Sequence, residues 1–210
     1  AAMINQAAEA ASGEVLVLLN NDTEVIESGW LSELVAQVSR PEVGVVGALL
    51  LFGDGTIQHA GVHPGVGGLM GHGHKHLPGD SPGYFGRLLV AHEVAAVTGA
   101  CLAVETSTWE RLGGLDEAHL TVAYNDIDFC LKVRQAGLRV VFSPFARLVH
   151  HESVSRGFDD DTQRGQRLKR ERTIMEARWG NLLESDPAYS PNLGFDGGGF
   201  GLADPVRIPP

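Results

Sequence analysis

Apolar residues fall along this chain in two alternating rhythms. Residues 15–19 (Val-Leu-Val-Leu-Leu) and 43–51 run apolar almost without a break, the pattern of a strand buried on both faces. Residues 94–104 and 138–142 predict two more strands. Between the first two, residues 29–39 set Leu31, Leu34, Val35 and Val38 at helical spacing and stop before Pro41. Residues 1–11 predict a helix closed by Ser12-Gly13, residues 106–112 one ended by Gly113-Gly114, and residues 125–136 one closed by Gly137. Glycine suits the left-handed position just past a helix end. The longest helix is predicted over 159–179. Strands separated by helices predict an α/β fold with crossover connections around a central sheet.

Two segments follow neither rhythm. Residues 53–92 are dense in glycine, proline and histidine, and so long an irregular stretch is usually functional or mobile rather than idle. Residues 186–210 are rich in proline and glycine and predict a tail, packed on the body or partly disordered. The domain expectation is a body over 1–185 and this tail over 186–210, without internal repeats.

Composition narrows the function classes. At 210 residues and 43% hydrophobic content the chain can bury one sizeable core. A formal charge of −10 argues against nucleic acid as a main partner, because neutralising phosphates takes clustered Lys and Arg. The basic residues between 164 and 178 alternate with acids and read as a solvated helix face. Cys101 and Cys130 lie in apolar surroundings, suggesting buried free thiols in a reducing compartment. No apolar run approaches the roughly 20 residues of a membrane span, and no signal-peptide pattern opens the chain, so a cytoplasmic protein is expected. The chain opens on Ala1 in mid-helix, which suggests a piece of something longer.

Four clusters could carry chemistry, each with a plainer reading beside it. Asn20-Asn21-Asp22 ends the first strand; hard cations such as Mg2+ and Mn2+ are often held by one or two carboxylates plus phosphates, but the same residues also make good turns and caps. Asp126 and Asp128 are two apart at a helix start and cannot share one face. One could serve as a general base while the other fixes the loop, or both could simply complement the helix dipole. His150-His151-Glu152 could complete an oxygen-rich metal site, although imidazole is unusual for Mg2+, or form an ordinary hydrogen-bonding cluster. The scatter of His59, His63, His72, His74, His76 and His92 has the composition of a metal tract, but Lys75 interrupts it and no Cys joins it; a mobile polar loop is the better reading.

Taken in order, these pieces resemble the family 2 bacterial glycosyltransferases that build O-antigen, rhamnan and other cell-surface glycans. The resemblance is carried by Gly13-Glu14, by Leu18-Leu19-Asn20-Asn21-Asp22-Thr23-Glu24 and by Val97-Thr98-Gly99-Ala100-Cys101. It continues through Gly113-Gly114-Leu115-Asp116-Glu117, Asn125-Asp126-Ile127-Asp128-Phe129-Cys130-Leu131-Lys132 and His150-His151-Glu152-Ser153-Val154-Ser155-Arg156-Gly157, and reaches Trp179-Gly180 and the 186–193 tail.

The resemblance implies a GT-A fold, a Rossmann-like mixed sheet flanked by helices. It implies an inverting, metal-dependent transfer from a nucleoside-diphosphate sugar of UDP or dTDP type to a glycan or lipid-linked acceptor. Asn20-Asn21-Asp22 would stand at the family's Asp-X-Asp motif, with Asp22 on Mg2+ or Mn2+ and His150 completing the metal site. Asp126 would be the general base, with Asn125 in place of the family's Glu. Gly99, Ala100, Asp128 and His151 would meet the sugar and acceptor. Asn5 and Arg156 would join Asn20 and Asn21 on the donor side, Arg156 in a loop able to close over the diphosphate. Other glycan-assembly proteins at the inner membrane surface would be partners. The family's first strands, which read the base, would precede residue 1, so the chain is expected to be the C-terminal part of a catalytic domain. The rival reading is a non-catalytic module that keeps the fold and serves in binding or assembly.

Overall fold

The computed structural model describes residues 1–151, 161–184, 186–196 and 199–206. In chain order the elements are α1 (Ala2–Ala10), β1 (Val15–Leu19), β2 (Thr23–Val25), α2 (Trp30–Val38), β3 (Val43–Leu51), β4 (Ile57–His59), β5 (Val62–Pro64), β6 (Met70–His72), β7 (His92–Glu93), β8 (Cys101–Glu105), α3 (Thr106–Leu112), α4 (Asn125–Gln135), β9 (Arg139–His150) and α5 (Asp161–Glu184). The main sheet runs β1-β8-β3-β9-β2, with β4 paired to β3 and β7 to β9. Only β3 and β9 lie parallel in it, so the sheet is mixed. This is the α/β architecture that the alternation of strands and helices predicted.

The unbroken apolar run of β3 has a direct cause. Its side chains alternate between two cores, Val45 and Leu49 entering the one built with Trp109, Phe129, Leu131, Met175 and Trp179, and Val46, Ala48 and Leu50 the one built with Leu34 and Val38 of α2. A strand covered on both faces has no polar side to show. Gly47 permits a close crossing, since a Cβ there would overlap the Val97 side chain. Cys101 and Cys130 are buried free thiols, and burial pushes both up to about 12.

Four expectations need correction. First, β1 is not buried on both faces; it is the outermost strand of its path, only Leu16 is buried and Leu19 is 46% exposed. Second, the strand predicted over 94–104 begins only at Cys101; residues 94–97 are buried, but as an irregular segment wedged on the sheet. Third, β9 does not stop at Phe142. Pro144 has no N–H for the ladder, yet the strand passes it by a bulge: the register with β3 moves from Ala48↔Ser143 to Leu49↔Arg147 and pairing resumes to Val149.

Fourth, residues 53–92 do not form a mobile polar loop. The β5–β6 hairpin and its flanking turns make a packed module in which His59 and His63 are fully buried. The tail docks against it: Phe200 stacks on His74 with ring centroids 4.1 Å apart and meets the edge of His63 at 5.2 Å, while Tyr189 and Leu193 are buried. Burial, with Arg87 nearby, holds His63 down to about 3 and His74 to about 4, so both rings are neutral. Histidine looks polar in a sequence, but a neutral imidazole packs among aromatic rings much as they do.

Helix α5 straps α4 and the loop before it. Glu171, fully buried, accepts from Thr121 N (2.9 Å), Thr121 Oγ1 (2.8 Å), Val122 N (3.2 Å) and Ala123 N (2.8 Å). Arg178 departs from the solvated face expected of this helix and reaches inward to Asp116 and Asp128.

Candidate active site

The site grows from the end of β1. Asn20 N donates to Ala100 O (2.9 Å), which stitches the strand end to the segment entering β8. The Asn20 carbonyl then accepts from Thr23 N (3.3 Å) and Thr23 Oγ1 (2.7 Å), closing a tight turn. The turn reading of Asn20-Asn21-Asp22 therefore holds as local structure. It exposes Asn20 and Asn21 and sets Asp22 beside β9, where Asp22 O accepts from His151 N at 2.8 Å.

His150 ends β9 opposite Thr23 in the register. Its Nε2 lies 3.1 Å from Asp22 Oδ1 and 3.2 Å from Asn20 Nδ2. Among the described residues Asp22 Oδ1 is nonetheless buried without a hydrogen-bond partner. On the other side of the ring, Nδ1 is 2.6 Å from Gln58 Oε1, and Gln58 Nε2 donates to the His150 carbonyl at 3.1 Å. Sequence reasoning missed Gln58, which sits on the three-residue strand β4 and is only 5% exposed. No periodicity marks so short a strand.

The segment 98–100 joins this cluster to α4. Gly99 N donates to Asp126 Oδ2 (2.8 Å), while Asp126 Oδ1 accepts from Ile127 N (2.9 Å), so each carboxylate oxygen is held by one backbone amide. Gly99 suits this approach: a Cβ there would stand 3.3 Å from Asp126 Cβ, a tight contact that would require Asp126 to give by a few tenths of an ångström. The segment is braced in turn by His59, whose Nε2 faces Thr98 N at 3.4 Å and whose Nδ1 is 2.8 Å from His72 Nδ1. Asn20, Asp22, Gly99, Ala100, Asp126 and His150 are thus linked through one hydrogen-bonded loop.

Other expected residues lie elsewhere. Asp128 was expected to meet substrate, but its side chain is fully buried: Oδ1 accepts from Arg178 Nη1 (2.7 Å) and Trp179 Nε1 (2.9 Å), and Lys132 Nζ stands 3.1 Å from Oδ2. It anchors α5 to α4. Asn5 was expected on the donor side. Its amide is spent on the 115–117 loop, donating to Leu115 O and Glu117 Oε2 and accepting from Leu115 N. His151 is exposed at the rim, 3.2 Å from Glu24 Oε2. Arg156, with the lid expected around it, lies outside the described residues.

The residues present fit a divalent cation. The carboxylate oxygen and imidazole nitrogen stand 3.1 Å apart, and neighbouring ligands at about 2.0–2.1 Å from an octahedral ion are about 3 Å apart. The buried Asp22 Oδ1 without a hydrogen-bond partner is the kind of atom a cation satisfies. Among the described residues no third His, Cys, Asp or Glu joins the pair. Nor does any Lys or Arg among them pair with Asp22.

Residues 15–169 match the family described as Glycosyl transferase family group 2. The chain is 50% identical over 203 residues to an uncharacterized protein, y4gI, of Sinorhizobium fredii (strain NBRC 101917 / NGR234), covering 96% of this chain and 22% of that protein. It is 46% identical over 159 residues to the O-antigen biosynthesis protein RfbC of Myxococcus xanthus, covering 75% of this chain and 12% of that protein. The chain thus spans less than a quarter of the length of either relative. Among solved structures it resembles GalNAc-T7 bound to UDP, GalNAc and Mn2+, with a TM-score of 0.54, 18% identity, and 88% of this chain and 38% of that one covered. It also resembles the mannosyltransferase PcManGT of Pyrobaculum calidifontis in complex with GDP-Man and Mn2+, with a TM-score of 0.51, 20% identity, and 87% and 48% covered. These likenesses give the fold, the GT-A arrangement that the resemblance implied.

Proposed function

This chain belongs to glycosyl transferase family group 2, and from that membership we propose that its sheet-edge site moves a sugar from a nucleoside-diphosphate sugar to a hydroxyl of a cell-surface glycan or lipid-linked acceptor. The observation that carries this reading is the loop 98–100, which binds Asn20 at one end and Asp126 at the other. It sets Asp22, a carboxylate with no Lys or Arg partner among the described residues, and Asp126, a carboxylate at a helix start, around one short stretch of backbone.

In this reading Asp22 and His150 would hold Mg2+ or Mn2+. The ion, when bound, neutralises charge on the departing nucleoside diphosphate. Asp126 takes the proton from the acceptor hydroxyl as it attacks, and the amides of Gly99 and Ile127 fix the plane of its carboxylate. One displacement in line with the departing diphosphate inverts the anomeric carbon. Asn20 and Asn21 face the donor, Gly99 and Ala100 line the sugar pocket, and His151 stands at its rim. Arg156 serves the diphosphate. No helix among the described residues is long and apolar enough to cross a membrane.

The test is Asp126→Asn in the full-length protein. Sugar transfer should fall by about 10²–10⁴-fold, while Mn2+ and donor binding, read by calorimetry, stay within a few-fold of wild type. Retained turnover, or a product with retained anomeric configuration, would overturn the role given to Asp126, whereas wild-type protein that binds donor and Mn2+ but transfers no sugar would leave a binding module as the better description.

A further inference from the structure

The structure assigns Gln58 as a positioning residue that fixes which nitrogen of His150 carries the proton, and so presents Nε2 bare toward Asp22. A backbone atom fixes the orientation of the amide. The His150 carbonyl can only accept, and it lies 3.1 Å from one end of the Gln58 amide; that end must be the NH2 group. A reversed amide would set two oxygens against each other. The other end, 2.6 Å from His150 Nδ1, is therefore the oxygen, and because oxygen only accepts, Nδ1 must bear the hydrogen. In the neutral ring the remaining nitrogen, Nε2, is then an acceptor. The contact from Asn20 Nδ2 at 3.2 Å agrees, since an amide NH2 needs a lone pair to donate into.

One side chain thus grips His150 at two points, ring and backbone, from a strand that pairs with β3 next door. Without this clamp, His150 would gain most by moving its proton to Nε2 and turning it toward Asp22 Oδ1, 3.1 Å away. That hydrogen bond would satisfy the carboxylate internally and occupy the nitrogen lone pair. Gln58 works against this closure: it keeps the proton off Nε2, so that a cation reaching Asp22 Oδ1 and Nε2 has only the Asn20 amide to displace. A hydrogen-bond acceptor on the far nitrogen of a metal-binding imidazole commonly orients the ring in this way. The consequence for a cation rests on the reading that Asp22 and His150 hold one; the tautomer does not.

Two variants separate the two grips. Gln58→Glu keeps an oxygen for Nδ1 but cannot donate to the His150 carbonyl, and Gln58→Met is close in shape and offers neither contact. The tautomer is read in 15N-histidine-labelled protein by two-bond 1H–15N correlation at pH 8, with His150→Gln used to assign the ring. Mn2+ affinity is read by calorimetry without donor, and folding by far-ultraviolet circular dichroism. Wild type and Gln58→Glu should show Nδ1–H, while Gln58→Met should shift His150 toward Nε2–H. Mn2+ binding should weaken about 10–100-fold in Gln58→Met and by no more than about threefold in Gln58→Glu. Folded Gln58→Met with an unchanged tautomer and unchanged Mn2+ affinity would overturn the proposal, as would wild type carrying its proton on Nε2. A tautomer that shifts as stated in a protein that binds no Mn2+ would sink the metal reading and leave Gln58 as the tautomer lock. If Gln58→Met fails to fold, Gln58→Glu decides: a proton on Nε2 in that variant overturns the proposal, and one on Nδ1 sustains it.

Discussion

The sheet-edge site and the knot beneath α5 each centre on an aspartate, and they differ in what balances its charge. Around Asp128 the charge is balanced: Arg178 and Trp179 donate to one oxygen, and Lys132 stands 3.1 Å from the other, which makes an ion pair without a hydrogen bond. Around Asp22 no Lys or Arg among the described residues balances it, and its buried oxygen faces an imidazole nitrogen held free of its proton on the Gln58 reading. Closed clusters of this kind fasten elements together, whereas an open one can accept a charge from outside. The same contrast separates two histidines. His150 is gripped by polar partners at the surface, while His63 is buried among aromatic rings with neither ring nitrogen hydrogen-bonded.

The largest effect should come from breaking the closed cluster. Asp128→Asn strands Arg178 and Lys132 against a neutral amide and should cost about 3–5 kcal/mol in urea denaturation. Asp22→Asn should cost less than about 1 kcal/mol, the usual range for a site not closed by fixed charge. Equal costs for the two would erase the distinction drawn here.

Next is the histidine contrast, which appears as pH dependence. With a folded pKa pushed by burial from 6.5 to about 3, His63 stays neutral while the unfolded chain takes up a proton as pH falls below 6.5. Its contribution to stability is complete above that value, shrinks as pH drops, and is exhausted near pH 3. His63→Leu should therefore lose about 2 kcal/mol less than wild type between pH 7 and pH 5. Urea midpoints at the two pH values measure this, and parallel losses would show that His63 is protonated in the folded state. The smallest effect is expected at the rim. Glu24→Ala removes the exposed pair with His151 and should change stability by less than about 0.5 kcal/mol; a measurable loss would mean that the rim is more rigid than its exposure suggests.

What the sequence made legible follows from where its rules apply. The spans of β3, α3 and α4 could be read because burial imposes a period and glycine or proline punctuates it. The passage of β9 beyond Pro144 could not, since a bulge depends on the neighbouring strand. Asp22, Asp126 and His150 stood out by residue type and order. The fates of Asp126 and Asp128 were only half readable: their spacing put them on different faces, but which face met Arg178 and Trp179 depended on a helix about fifty residues away. Gln58 was invisible for the same reason, its partners being a backbone carbonyl and a ring delivered by a distant strand.

Glu171 carries a consequence of this kind. Its carboxylate gathers four donors from residues 121–123, the stretch that leads into Asn125 and Asp126. Adding one residue to α5 ahead of Glu171 would swing it by about 100° around the helix axis, and the stretch would lose its mooring. The aim of Asp126 is thus set partly from the far side of the fold, so a change that never approaches the sheet-edge site could still turn its carboxylate out of line.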